Sequence, residues 1–468
     1  MISWSPQIVL VSQAVPEFDS RRASAQGVTI PQITQDATQL EARIIRTLTW
    51  RLVPFLFVLY VVAYLDRINV GFAALQMQVQ LGFSDAVYGL GAGMFFAGYF
   101  VFQVPSNLVL ERVGARRWIA LLIVVWGIVS AATSLVTGAT SFYVLRFLLG
   151  SAEAGFFPGV ILYLKNWFPA SARARTVARF VTAAPIAGVI GGPLSGALLG
   201  LHLRAGLAGW QWMFLLEGIP AVLLGALAWK YLVDRPEDAA WLDTDEKAWL
   251  CGALRAEQIA AAHSHDVGTV TQGPGSDTFA AFRSGRIWIL TLVYFGLTTV
   301  MYGMSMWLPT VIKSLASMNN FTIGVLSAIP YLAAAIAMVR VGLHSDRSGE
   351  RRWHVALPAF AGALALAAAA YTHSLGAAVV LLSITVMGYF SMMGPFWAMP
   401  TRLLSSTSAA AGIAFINSVG NLGGFFGPYT IGLMRTSTGE FRGGLLVVAA
   451  TLAVSGAFVL AVREPDRR

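Results

Sequence analysis

Four charged residues stand where an apolar chain has least use for them. Asp66 and Arg67 are neighbours inside the run TWRLVPFLFVLYVVAYLDRINVGFAA, residues 49–74, and Arg146 and Glu153 lie seven residues apart in a later apolar run. Seven residues is close to two helical turns, so Arg146 and Glu153 project from one face, about 10 Å apart along the axis. A wet helix carries such groups for nothing. In lipid each unsolvated charge costs several kcal/mol unless it faces a polar cavity or a partner. Guanidinium groups stay protonated and grip carboxylates in a planar fork. Aspartate and glutamate in a low-dielectric cavity can carry protons near neutral pH. With both acids ionised the four charges cancel; protonating either acid frees an arginine for an anion. Anion and proton then favour each other's binding. A purely structural ion-pair network is the alternative reading of the same residues.

The elements that must position these groups follow from composition. The 468 residues are 56% hydrophobic and 12% charged, with a mean hydropathy of +0.66. Soluble chains carry roughly twice that charged fraction, so a polytopic membrane protein is expected. Apolar segments of spanning length fall near 50–75, 86–110, 117–137, 141–164, 177–201 and 211–232, then near 286–311, 322–343, 353–372, 377–400, 409–434 and 441–462. No alternating barrel pattern appears, so the fold class is all-α: twelve transmembrane helices in two six-helix halves. The expected boundaries are a disordered cytoplasmic tail 1–47, a first half 48–232, a cytoplasmic linker 233–284, a second half 285–463 and a tail 464–468.

Loop charge sets an expected orientation. Arg112, Arg116 and Arg117 follow the second segment, Lys165, Arg173, Arg175 and Arg179 the fourth, and Arg347, Arg351 and Arg352 the eighth; the opposite loops 76–85, 138–140 and 373–376 hold no Lys or Arg. Arg204, Lys313, Arg435 and Arg442 are exceptions on that opposite side. The bias places both termini and the linker in the cytoplasm, in an integral plasma membrane, the inner membrane of a prokaryote. The net charge of +9 is therefore spent on topology, and no nucleic-acid module is expected.

The halves repeat. Glu111–Trp118 reads ERVGARRW and Asp346–Trp353 reads DRSGERRW, five of eight positions identical at an offset of 235. The same offset carries Gly188 onto Gly423 and Gly192–Pro193 onto Gly427–Pro428. Parallel six-helix halves are a transporter architecture with the substrate site between them near the midplane. The shift places Met301, Tyr302, Leu381 and Gly388 opposite Asp66, Arg67, Arg146 and Glu153, so the second half carries none of the four charges. Plain positive-inside anchoring explains the loop arginines but not the acid-Arg-x-Gly register appearing twice. The loop groups Glu111, Arg112, Gly114, Arg116, Asp346, Arg347, Gly349 and Arg351 are expected to pair across helices and to switch partners as the halves rock.

The stretches YLDRINVGFA (Tyr64–Ala73), PSNLVLERVGARRW (Pro105–Trp118), LRFLLGSAEAGFFPG (Leu145–Gly159), GVIGGPLSG (Gly188–Gly196), HSDRSGERRW (His344–Trp353), PFWAMPTRLL (Pro395–Leu404) and INSVGNLGGFFGPYTIG (Ile416–Gly432) resemble the major facilitator superfamily. The wording is most similar to its anion:cation symporters, closest to the tartrate- and phthalate-type branch, over about residues 48–465. The first loop departs from the general superfamily motif in Asn107 and Glu111, whereas Gly342 and Asp346 keep it in the second. The resemblance implies proton-coupled symport of a small organic anion, such as a hydroxy-dicarboxylate, sugar acid or aromatic carboxylate. It implies Arg67 and Arg146 on the substrate carboxylate, Asp66 and Glu153 for protons, and Tyr64, Tyr99, Trp397 and Asn421 as further substrate contacts. For the tyrosines and the tryptophan, ordinary interhelix packing stays open. A glycine-proline pair in the fifth segment also occurs in proton-coupled exporters, so export or exchange stays open too.

Other features are read plainly. His263 and His265 in a polar loop lack the further ligands a metal site needs. Glu217 beside Trp210 and Trp212 reads as an interfacial anchor. Gly89, Gly91 and Gly93 lie inside a span with no strand before them, so they are no nucleotide loop. Gly188, Gly192, Gly196 and Gly200 form a stripe for close helix approach. No nucleophile-base motif is present, so an enzyme is not expected. No cofactor is expected beyond the coupling proton. The partners expected are substrate, protons and membrane lipid, with the monomer as functional unit.

Overall fold

The computed structural model describes residues 30–266, 284–403 and 406–462, and among them every regular element is helical. The first half contains α1 (Ile30–Leu81), α2 (Asp85–Val113), α3 (Ala115–Ala132), α4 (Ala139–Glu153), α5 (Phe156–Trp167), α6 (Ala170–Val181), α7 (Ala183–Leu199) and α8 (Gly209–Tyr231). The linker helix is α9 (Thr244–Asp266). The second half contains α10 (Gly285–Leu315), α11 (Asn320–Ser348), α12 (Arg352–Ala369), α13 (Leu375–Leu403), α14 (Ser406–Gly420), α15 (Gly423–Thr438) and α16 (Arg442–Ala461). Among the described residues, eleven stretches are long and apolar enough to cross a membrane, α4 with α5 and α6 with α7 each counting as one. The twelfth expected span is α14 with α15, divided at Asn421–Leu422. Leu223, Leu332 and Leu364 are among many large apolar side chains left on the outer surface, where lipid rather than water suits them.

Local chemistry fixes where helices begin and end. Ser84 caps α2 by accepting from the Val87 N–H, and Asn319 caps α11 by accepting from the Thr322 N–H at 2.8 Å. Gly114 (φ +90) and Gly349 (φ +67) end α2 and α11 at the same place in the repeated loop, a backbone conformation that glycine adopts without a Cβ penalty.

The helix α1 begins at Ile30, so residues 30–47 are helical rather than the disordered tail that their polarity suggests. Its 52 residues reach about 78 Å, far more than one bilayer crossing. The extra turns bury Ile44 and Leu48 and dock on the linker through Arg43, whose Nε lies 3.2 Å from Glu246. Residues 1–29, the 267–283 part of the linker and the 464–468 tail lie outside the described residues, as do the side chains of His263 and His265.

The halves meet along three helix pairs: α1 with α10, α7 with α11, and α2 with α15. Glycine makes these contacts possible. A Cβ at Gly192 would stand 2.3 Å from the Gly324 carbonyl oxygen, and one at Gly196 would stand 2.6 Å from that of Asn320. A Cβ at Gly89 would stand 2.6 Å from the Pro428 carbonyl oxygen. Gly324 is the repeat mate of Gly89, and Gly427, beside Pro428, is the mate of Gly192. The two crossings are thus one interaction used twice, with a one-residue slip. Of the four-glycine stripe on α7, Gly200 faces only its own helix.

Candidate functional site

The four sequence-selected charges are all buried, but they do not form one network. Arg67 donates through Nε (3.2 Å) and Nη2 (2.7 Å) to a single oxygen of Glu153, leaving Glu153 Oε1 without a partner. Its third nitrogen, Nη1, donates to the Tyr302 hydroxyl at 3.0 Å across the boundary between the halves. Arg146 is fully buried, and none of its three nitrogens has a hydrogen-bond partner among the described residues. Asp66 turns away from the arginines: its Oδ1 accepts from Ser130 on α3 at 2.8 Å, and Oδ2 has no partner. Residues adjacent on a helix point about 100° apart, so the Asp66–Arg67 pair serves two different surfaces of α1.

Aromatic rings complete the arginine site. The guanidinium carbons of Arg67 and Arg146 both lie 5.1 Å from the centre of the Phe95 ring. Tyr99, one turn along α2, is buried with its ring 5.6 Å from Arg67. Phe95 was not selected from sequence; its i−4 spacing from Tyr99 on one helix face was the available signal. The Phe95 ring thus offers a cation–π partner to both arginines.

The other expected contacts are distributed. Tyr64 is fully buried and its hydroxyl has no hydrogen-bond partner. Trp397 is half-buried in an aromatic group with Tyr294 and Phe396, at ring separations of 4.9 and 5.3 Å. Asn421 donates to Asn417 at 3.2 Å and sits at the interruption between α14 and α15. Glu153 likewise ends α4, just before the Ala154–Gly155 turn. Two of the groups singled out therefore sit where a span is broken. Glu217 is no interfacial anchor: it is buried, and its Oε1 accepts from Ser195 at 2.9 Å.

The repeated loops differ in use. In the second copy Arg351 pairs with Asp346 at 2.7 Å within the loop. In the first copy Glu111 and Arg112 are exposed, and Arg116 pairs instead with Asp234, at the end of α8, at 3.2 Å. The helix-bridging acid is thus Asp234, and Arg347 is exposed like Arg112. Among the described residues, none of these ion pairs joins the two halves.

The opposite side of the molecule is where the halves are clamped. Arg435 on α15 pairs with Asp85 on α2 at 2.8 Å, the Ala86 N–H donates to Thr436, and Lys313 donates to the Leu75 carbonyl.

A family model described as Major Facilitator Superfamily matches residues 56–428. The chain belongs to the Major Facilitator Superfamily. It is therefore a multi-pass membrane transporter and not an enzyme. Among superfamily relatives, a putative tartrate transporter of Agrobacterium vitis is 49% identical over 90% of this chain and 91% of its own length. A quinolone resistance transporter of Acinetobacter baumannii is 42% identical over 88% of this chain and 94% of its own. The superfamily fold is also seen in the solved structure of a bacterial homologue of the human lysosomal transporter Spinster, inward-facing and unoccupied. That structure matches with a TM-score of 0.70 at 17% identity, over 90% of this chain and 96% of that one.

Proposed function

We propose that this transporter takes up a small organic anion together with protons. The observation that carries the reading is Arg146, a fully buried guanidinium without a hydrogen-bond partner. Leaving an unpaired charge in a buried site costs several kcal/mol, and a carboxylate lying in the fork of that guanidinium would offset it. Arg67, whose guanidinium carbon also lies 5.1 Å from the centre of the Phe95 ring, supplies a second positive group. Its present partner, Glu153, holds it through one oxygen only. A proton on Glu153 weakens that grip and turns Arg67 toward the substrate. A proton on either acid leaves the four-residue set with one net positive charge, which favours the anion. The 49% identity to a relative named as a putative tartrate transporter supports a hydroxy-dicarboxylate as substrate.

The expected setting is a bacterial inner membrane with both termini in the cytoplasm, supported by the loop-charge bias. The Asp85–Arg435 clamp would then lie on the outer side, with the halves free to part toward the cytoplasm. Tyr64, Tyr99, Trp397 and Asn421 would contact substrate in the course of the cycle.

Thermal unfolding of the purified protein with tartrate at two pH values tests the reading. A ligand at a hundredfold excess over its Kd stabilises the folded state by about 2.7 kcal/mol. Stabilisation that is larger at the lower pH and absent in Arg146→Gln supports anion–proton symport. Stabilisation by lipophilic cations alone sinks it. Export is the second reading, favoured by the relative named as a quinolone resistance transporter. It predicts accumulation outside vesicles rather than inside when the pH gradient is imposed.

A further inference from the structure

A second buried acid lies in the first half and has no place in the arginine site. Glu217 on α8 is buried; Ser195 on α7 donates to its Oε1 at 2.9 Å, and its Oε2 has no partner. Asn69, three residues after Asp66 on α1, is fully buried, and neither its amide oxygen nor its amide nitrogen has a partner. The Asn69 amide is near enough to act on the Glu217 carboxyl without completing a hydrogen bond to it, and Glu217 in turn acts electrostatically on Asp66. Asp66 is itself held by one hydroxyl and leaves one oxygen free. Two buried carboxyls, each tied by a single serine, thus share this part of the first half with one unpartnered amide.

Among the described residues, no counter-charge is paired with Glu217. α8 packs against α1, α3 and α7. α7 has no titratable residue, the charges of α3 are Arg116 and Arg117 at its far end, and Lys230 lies at the last turn of α8. On α1 the titratable neighbours are Asp66 and Arg67, with Arg67 engaged by Glu153 and Tyr302. An ionised carboxylate in such a place costs several kcal/mol, and a bound proton removes the charge. A metal ion fits less well. Hard cations take six or more oxygens, whereas the unspent ones here are Asp66 Oδ2, Asn69 Oδ1 and Glu217 Oε2. An amide serves both states of a carboxyl, its N–H2 donating to the anion and its oxygen accepting from the acid.

We propose that Glu217 is a second proton-binding carboxyl of the first half, coupled to Asp66 by charge and separate from the Arg67–Glu153 site. The proposal rests on the proton-coupled reading above. In operation Glu217 takes up and releases its own proton, and the charge it carries sets how readily Asp66 holds one, without opening the arginine site to water.

Infrared difference spectra of the full chain in lipid vesicles, between acid and alkaline pH in potassium buffer, test this without any substrate. The expected result is that Glu217→Gln removes one titrating carboxyl component while tartrate still raises the unfolding midpoint through Arg146. Ser195→Ala, which keeps the carboxyl, should retain that component and move the pH at which it disappears. It also serves if Glu217→Gln fails to fold. Spectra of Glu217→Gln identical to wild type overturn the proposal. So does a Ser195→Ala component that titrates at the wild-type pH, or one that sodium abolishes, which would make this a metal-ion site. If Asp66→Asn and Glu153→Gln each remove a component but Glu217→Gln does not, this proposal alone fails. If no carboxyl titrates in wild type, the symport reading fails with it.

Discussion

Arg67 and Tyr302 stand at the same position of the two repeats, 235 residues apart, and are hydrogen-bonded to each other at 3.0 Å. A contact between repeat mates places them at the pseudo-twofold axis, where α1 meets α10. Gly71 and Met306, the mates one turn further on, also touch: a Cβ at Gly71 would stand 2.9 Å from the Met306 carbonyl oxygen. The duplicated fold therefore puts an unlike pair, arginine against tyrosine, at its centre of symmetry. An anion that draws Arg67 away must also loosen this link between the halves.

Tyr302→Phe removes the hydroxyl and leaves the ring. Hydrogen bonds to charged groups contribute about 1.5–3 kcal/mol. Freed from the second half, Arg67 should bind anion at least as well while translocation slows roughly tenfold or more. Tartrate-induced stabilisation compared with vesicle uptake checks this; an uptake rate equal to wild type would refute it.

Arg146→Gln should abolish uptake, a loss of about 3 kcal/mol or more, as expected when the charge that would pair with a buried anion is removed. Arg146→Lys keeps the charge but loses the planar fork, so it should retain only partial activity. Equal activity of lysine and arginine variants would show that the bidentate geometry is unimportant.

The Asp85–Arg435 pair is about three-quarters buried on both sides, and the arginine also lies 4.1 Å from the centre of the Phe441 ring. Asp85→Asn should weaken the clamp by about 1 kcal/mol, near the upper end for such a pair. Hydrogen exchange at the Ala86 N–H, which donates to Thr436, should then quicken about fivefold. Unchanged exchange would mean that the neighbouring backbone contacts alone hold this side shut.

Gly324→Ala would place a Cβ 2.1 Å from the Gly192 carbonyl oxygen, a backbone atom with nowhere to go. Forcing α7 and α11 apart should cost about 1–3 kcal/mol in the unfolding transition and depress uptake. Gly376→Ala is the matched control, since nothing lies within 4 Å of its Cβ position, and should stay within about 0.5 kcal/mol of wild type.

How much of this was legible in the residues depends on distance along the chain. Hydropathy and the 235-residue repeat are properties of single segments, and they predicted an all-helical chain of two six-helix halves. The start of α1 was misplaced because Gln, Asp and Thr before Leu40 are polar. The turns that follow bury Ile44 and Leu48 and bring Arg43 to Glu246, more than two hundred residues away. The partner of Arg116 is equally remote: it pairs with Asp234, far beyond its own loop.

The sequence by itself determined that two arginines and two acids are committed to the membrane interior of one half, because charge within an apolar run has no cheap alternative there. It determined the glycine positions at which helices can approach. Only the tertiary structure decided which charge meets which. It separated Asp66 from Arg67, gave Glu153 to Arg67, left Arg146 unpaired beside Phe95, and brought Glu217 in from the expected interface to join Ser195. Helical periodicity tells which residues share a face, but the partner across that face comes from another helix. Its placement is set by the packing of all twelve spans together.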